Sequence, residues 1–175
     1  MAFTYFLNRS ICRLTSENHA SRLQAFDSIK TMLVLVSADE TEAITRYRWM
    51  RDQFDHLTTI RMIRVTNEKK TEPAFTNGIM KVNKHSLNFF GYPVSGLNEI
   101  LQTERFDLLV NADERNLMLL HVIAAAARAE MRVGSPLGAC KHLYPVSIYG
   151  QEGTGFSDYM TQCRDYLNAL AGKSS

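Results

Sequence analysis

The chain has 175 residues, 45% of them hydrophobic and 22% charged, an ordinary composition for one globular domain. It excludes a disordered tail and a coiled coil, and at this length roughly 70% of the unfolded surface can be buried without help from a disulfide or a metal. Twenty Lys and Arg against eighteen Asp and Glu leave a net charge of +2, too small a balance to point to a nucleic acid partner.

The first expected element is an amphipathic helix, because Phe3, Phe6, Leu7, Ile11 and Leu14 recur at helical spacing with Arg9 and Arg13 off the stripe. Two arginines are few for a helix lying on a membrane, so this one is expected to pack on its own domain and a membrane surface is not an expected partner. Residues 1–28 are read as an N-terminal helical segment and residues 29–175 as an α/β domain. Ile29 to Ser37 carries a continuous apolar run, the pattern of a strand covered on both faces. Asp39 or Thr41 can cap the helix that follows, whose apolar stripe is Ala43, Tyr47, Met50 and Phe54. Thr58 to Val65 is rich in β-branched residues and reads as a second strand. Asn67 to Gly78 reads as a surface excursion, Ile79 to Val82 as a short third strand, and Leu87 to Pro93 as aromatic but aperiodic.

Ser95 is expected to cap a short helix running through Leu101, and Phe106 to Asn111 is the second buried-strand pattern. Arg115 to Met131 reads as one long helix, apolar nearly all round. Arg132 to Gly134 and Tyr144 to Tyr149 supply two more short strands, and Phe156, Tyr159, Met160, Cys163, Leu167 and Leu170 mark a last amphipathic helix. Strands alternating with helices predict a single Rossmann-like α/β domain in three layers. Its five or six mostly parallel strands have helices on both faces, and the strands near Lys30 and Phe106 are adjacent at the centre.

Phe106 to Asp113, Leu120 to Ala126 and Ala129 to Gly134, joined by Asn88 to Pro93 and the ending Tyr166 and Leu167, resemble a family of small bacterial proteins of unknown function. The resemblance runs from about Ile29 onward; it implies a fold and a bacterial origin and brings no catalytic residues. Phe106 to Gly134 is also similar to part of the first Rossmann-like half of heptose-transferring glycosyltransferases. Those enzymes close their site with a second domain, for which a chain of this length leaves no room.

A dinucleotide site needs glycines in the first strand-to-helix turn, where the backbone approaches a pyrophosphate. Here the turn, Ser37 to Glu42, has no glycine and three carboxylates, so no nucleotide and no other cofactor is expected. Gly153, Thr154 and Gly155 precede the last helix and form a candidate anion loop, with a plain turn as the simpler reading. The five histidines have no metal-ligand spacing, and His121 reads as a satisfied core residue, so no metal is expected. Arg46 and Trp49 stand in a basic, aromatic stretch that could form an interaction surface for a protein partner.

The ligand position most compatible with the fold is the crevice beyond the carboxyl ends of the two central strands, where Asp39, Asn111 and Asp113 should meet. Each Asp can also simply cap the helix after it. Cys12, Cys140 and Cys163 are scattered and odd in number, and the N-terminus lacks the features of a secretory signal, so a cytoplasmic location is expected. These readings favour a non-enzymatic binding or interaction protein. The alternative is a small-molecule enzyme with its site at the C-terminal edge of the sheet, distantly like a glycosyltransferase half-domain.

Overall fold

A computed structural model describes residues 2–17, 23–68, 73–135, 137, 140, 142–148 and 155–172. The elements are α1 (Ala2–Glu17), β1 (Thr31–Val36), α2 (Glu40–Gln53), β2 (Thr59–Val65), β3 (Ile79–Val82), α3 (Ser95–Thr103), β4 (Arg105–Asn111), α4 (Met118–Ala126), β5 (Arg128–Gly134), β6 (Val146–Ser147) and α5 (Phe156–Gly172). The strands form one sheet in the order β3-β2-β1-β4-β5-β6, with every pair parallel. This is the strand order of doubly wound folds, in which the chain starts at the centre and winds outward twice.

The central pair is β1 and β4, in register through Met32 with Leu108 and Val34 with Val110. A polar clamp sets that register at the start of the strands. Asp107 Oδ2 accepts from the N–H groups of Lys30 and Thr31 at 2.8 and 2.9 Å, and Thr31 Oγ1 accepts in return from Asp107 N–H at 2.9 Å. Because side chains alternate across a strand, Met32, Val34 and Val36 enter the core under α2 and α5, while Leu33 and Leu35 enter the one under α1, α3 and α4. Both faces of β1 are therefore dry, as its continuous apolar run requires. Leu7, Ile11 and Leu14 of α1 are buried in the second of these cores; Phe3 lies outside the described side chains.

Two expectations are corrected. The long helix expected over Arg115 to Met131 is only Met118–Ala126, and the chain turns extended at Ala127 (φ −68°, ψ 141°) to enter β5. Ala, Glu and Met favour helix, but pairing with β4 along Arg105–Asn111 overrides that local preference. Ser95 is the first residue of α3 and not its cap, because the carbonyl of Val94 already accepts the first helical bond from Asn98 N–H at 2.8 Å. Of the strand expected over Tyr144 to Tyr149, Val146–Ser147 pairs with β5, and Tyr149 lies outside the described residues. Among the described residues no helix is long and apolar enough to cross a membrane.

Candidate functional site

Between β1 and β4 the winding reverses, so α2 packs on one face of the sheet and α4 on the other, and the loops beyond the strand ends diverge. A crevice of about 1140 Å³ opens there. Its walls are the first turns of α2, the turn from β4 into α4, Ser135 after β5, and the start of α5. Asp39, Asn111 and Asp113 all line it, and so do Arg46, Trp49 and Gly155. Gly153 and Thr154 lie outside the described residues.

Both aspartates hold the backbone around them. Asp39 is the N-cap of α2, with its Oδ1 accepting from Glu42 N–H at 2.8 Å. Asp113 accepts from Arg115 N–H at 3.0 Å through Oδ1 and from Leu117 N–H through Oδ2, which shapes the turn before α4. Asp39 thus caps α2 and lines the crevice, whereas the expected cap by Asp113 does not form: the N-cap of α4 is Leu117, without a side-chain cap bond, and Asp113 instead holds the turn that precedes it.

Arg46 does not present a free cation. Its guanidinium pairs with Glu42 on its own helix and with Glu114 across the crevice at 3.1 Å, and it lies 4.8 Å from the ring centroid of Phe156. Trp49 is half-buried, edge-on to Phe54 and Phe156 with ring centroids 5.6 and 6.0 Å away. These two residues tie α2 to α5 and form a crevice wall. Of the neighbouring arginines, Arg48 and Arg51 are exposed on α2, while on β2 Arg61 pairs with Glu104 and the buried Arg64 with Glu40.

Beneath the β4–α4 turn runs a chain of buried polar groups, of which the sequence pointed to Asn111 and to His121 as a satisfied core residue but not to Tyr144 or Asn116. Tyr144 Oη lies 2.7 Å from Asn111 Nδ2 and 2.8 Å from His121 Nδ1, and His121 Nε2 lies 2.6 Å from Asn116 Oδ1 on the crevice wall. One assignment satisfies all three contacts: Asn111 Nδ2 donates to the phenol, the phenol donates to His121 Nδ1, and His121 Nε2–H donates to Asn116. Burial holds the imidazole pKa below its ordinary value, against a smaller opposing pull from Asp113, so the neutral tautomer this chain needs is the favoured one. Burial likewise pushes the Tyr144 phenol up, which keeps it a donor. Tyr144 reaches this position because Gly134 has no side chain, since a Cβ there would meet its ring at 2.9 Å. Asn116 adopts a left-handed conformation (φ 53°), which Asn tolerates better than most residues. An Asn in a polar turn was the only sequence signal for it, and nothing local marked Tyr144, 33 residues from its partner Asn111.

Among the described residues the crevice wall thus sets four carboxylates, Asp39, Glu42, Asp113 and Glu114, against the one guanidinium of Arg46, beside an apolar surface of Trp49 and Phe156. Such a field repels a bare phosphate and attracts amines and hydroxyl donors. Among the described residues no three His, Cys, Asp or Glu side chains are grouped to hold a metal ion. No curated protein and no solved structure matches the chain. The chain belongs to a family of unknown function, DUF6913, whose model matches residues 4–170.

Proposed function

We propose that this is a non-enzymatic binding protein that holds a small amine- or hydroxyl-bearing molecule in the switch-point crevice. In this reading residues 1–28 are a helical segment appended to a binding domain of residues 29–175. The observation that carries it is the crevice wall itself, where carboxylates fixed by backbone N–H groups or by Arg46 face the space beside Trp49 and Phe156. Fixed acceptors bind without paying for their own ordering, the usual origin of affinity in a small polar site. A bacterial origin, implied by the family resemblance, and a cytoplasmic setting belong to the same reading; the latter is supported by Cys12, Cys140 and Cys163, none of which is in a disulfide.

The second reading, a small-molecule enzyme at the same edge of the sheet, draws support from the Asn111–Tyr144–His121–Asn116 chain. That chain fixes the amide of Asn116 on the crevice wall, as a reaction with a demanding geometry would need.

Thermal shift and calorimetry against a panel of polyamines, amino sugars, polyols, nucleotides and inorganic phosphate test the binding reading. Amine or polyol probes are expected to raise the melting temperature, and phosphate and nucleotides are not. The double variant Asp39→Asn, Asp113→Asn keeps the α2 cap and one of the two Asp113 contacts while removing two charges, so it should still fold, with a modestly lower melting temperature, while losing the shift. Equal shifts in parent and double variant would leave the two aspartates with backbone-holding roles alone, and turnover of a bound probe would favour the enzyme.

A further inference from the structure

Among the described residues Phe89 and Phe90 are two of the three most exposed large hydrophobic side chains, and neither lines the crevice. Gly91 N–H donates to Asn88 O at 2.9 Å and closes a tight turn that puts Phe89 and Phe90 at its two central positions. Both rings face solvent, 74% and 59% exposed. The turn is nonetheless firmly built. Asn88 Oδ1 accepts from the N–H groups of Phe90 and Tyr92 at 2.9 and 3.1 Å, and Ser10 Oγ of α1 donates to Phe90 O at 2.7 Å. Gly91 (φ 78°) lets the turn lie on α1, where a Cβ would come within 3.0 Å of Leu7. The rings also meet α1 directly: Phe6 has its centroid 6.0 Å from Phe89 and 6.3 Å from Phe90, and Tyr5 beside it is 64% exposed. A scaffold that holds large rings out into water marks a contact surface.

The charge beside the rings identifies what they contact. Tyr5, Arg9 and Arg13 follow one another at four-residue spacing, one exposed stripe along α1. Residues 2–17 and 84–95 contain one acidic side chain, Glu17, which is ion-paired with Arg13 at 3.0 Å. Among the described residues Arg9 has no ion-pair partner. The two central residues of a tight turn project outward, and an outward tip fits a soft surface better than a second copy of the same tip. We propose that this tip docks on an anionic lipid surface, with Phe89, Phe90 and Tyr5 at the headgroup boundary and Arg9 and Arg13 on the lipid phosphates. The apolar stripe of α1 stays packed in the domain, so the contact is made by the helix's first turns and the neighbouring turn and not by the helix lying flat.

Flotation of the full chain with phosphatidylcholine vesicles, with and without phosphatidylserine, tests this. The parent should float with the anionic vesicles and lose that binding at high salt. The double variant Phe89→Ser, Phe90→Ser should melt like the parent and bind at least about tenfold more weakly. Arg9→Glu should weaken binding several-fold while leaving the melt unchanged. No flotation of the parent, equal flotation on neutral vesicles, or undiminished binding by the double serine variant would overturn the proposal. So would sedimentation velocity showing a dimer that the serines dissolve, which would assign the tip to a second copy of the chain.

Discussion

The two faces of the sheet are built differently. Under α2 and α5 the interior is apolar and aromatic: Phe26 and Phe54 lie with ring centroids 4.9 Å apart, and Met32, Val34 and Met62 are fully buried around them. Under α1, α3 and α4 the core includes Leu33, Leu35 and Ala124, but it also buries the Asn111–Tyr144–His121 chain and the whole side chain of Arg132. Arg132 Nη2 donates to Ala127 O at 2.8 Å, while its Nε and Nη1 have no hydrogen-bond partner among the described residues. Burial lowers the pKa of this guanidinium to about 10, which still leaves it charged at neutral pH. The contrast separates what stabilises the fold from what it tolerates: the α2/α5 side supplies cohesion, and the α4 side carries polar groups whose placement costs stability.

The largest expected effect lies on the apolar side. Phe54→Ala removes a side chain that is 2% exposed and packed on both Phe26 and Trp49, and should cost about 3–5 kcal/mol in urea unfolding. A loss below about 1 kcal/mol would mean that this core collapses around the gap and is less rigid than its packing implies. On the polar side, Arg132→Met should be neutral or up to about 2 kcal/mol more stable, since it removes a buried charge with two unpartnered nitrogens and keeps much of the volume. Marked destabilisation by Met would show that the guanidinium has a favourable role despite those two atoms.

A smaller, pH-dependent effect separates the faces further. The folded-state pKa of His121 is depressed below 6.5, so below that pH the unfolded chain takes up a proton that the folded one resists. The stability contributed by the neutral imidazole is therefore complete above pH 6.5 and falls as pH drops towards the folded value. Melts of the parent and of His121→Gln between pH 7.5 and 5 should diverge, with the Gln variant flatter. Parallel curves would place the acid sensitivity elsewhere. The smallest effect is at the crevice, where Asp39→Ala should cost about 1 kcal/mol through the lost cap and Asp39→Asn only a few tenths.

The fold was legible because its signals are local and redundant. The runs at Met32–Val36 and Phe106–Val110 mark the two central strands, the candidate capping residues Asp39 and Thr41 mark the start of α2, and the period of Leu7, Ile11 and Leu14 marks the packed face of α1. The meeting of Asp39, Asn111 and Asp113 also follows from sequence, since adjacency of two parallel strands brings their carboxyl ends together whatever the loops do. The end of α4 was not legible, because Ala, Glu and Met are good helix formers and only pairing with β4 makes Arg128–Gly134 a strand.

Tertiary structure alone decided the rest. It turned Arg46 and Trp49 from an outward surface into a crevice wall, by placing Glu114 and Phe156 beside them from distant parts of the chain. It brought Tyr144 to His121, and it laid the aperiodic Phe89–Phe90 turn against the first turns of α1 through Ser10 and Gly91. Periodicity and capping are properties of neighbours along the chain, so a sequence determines them by itself. Which side chains from separate segments share a pocket, a proton or a patch depends on how the layers pack, and no local pattern carries that information.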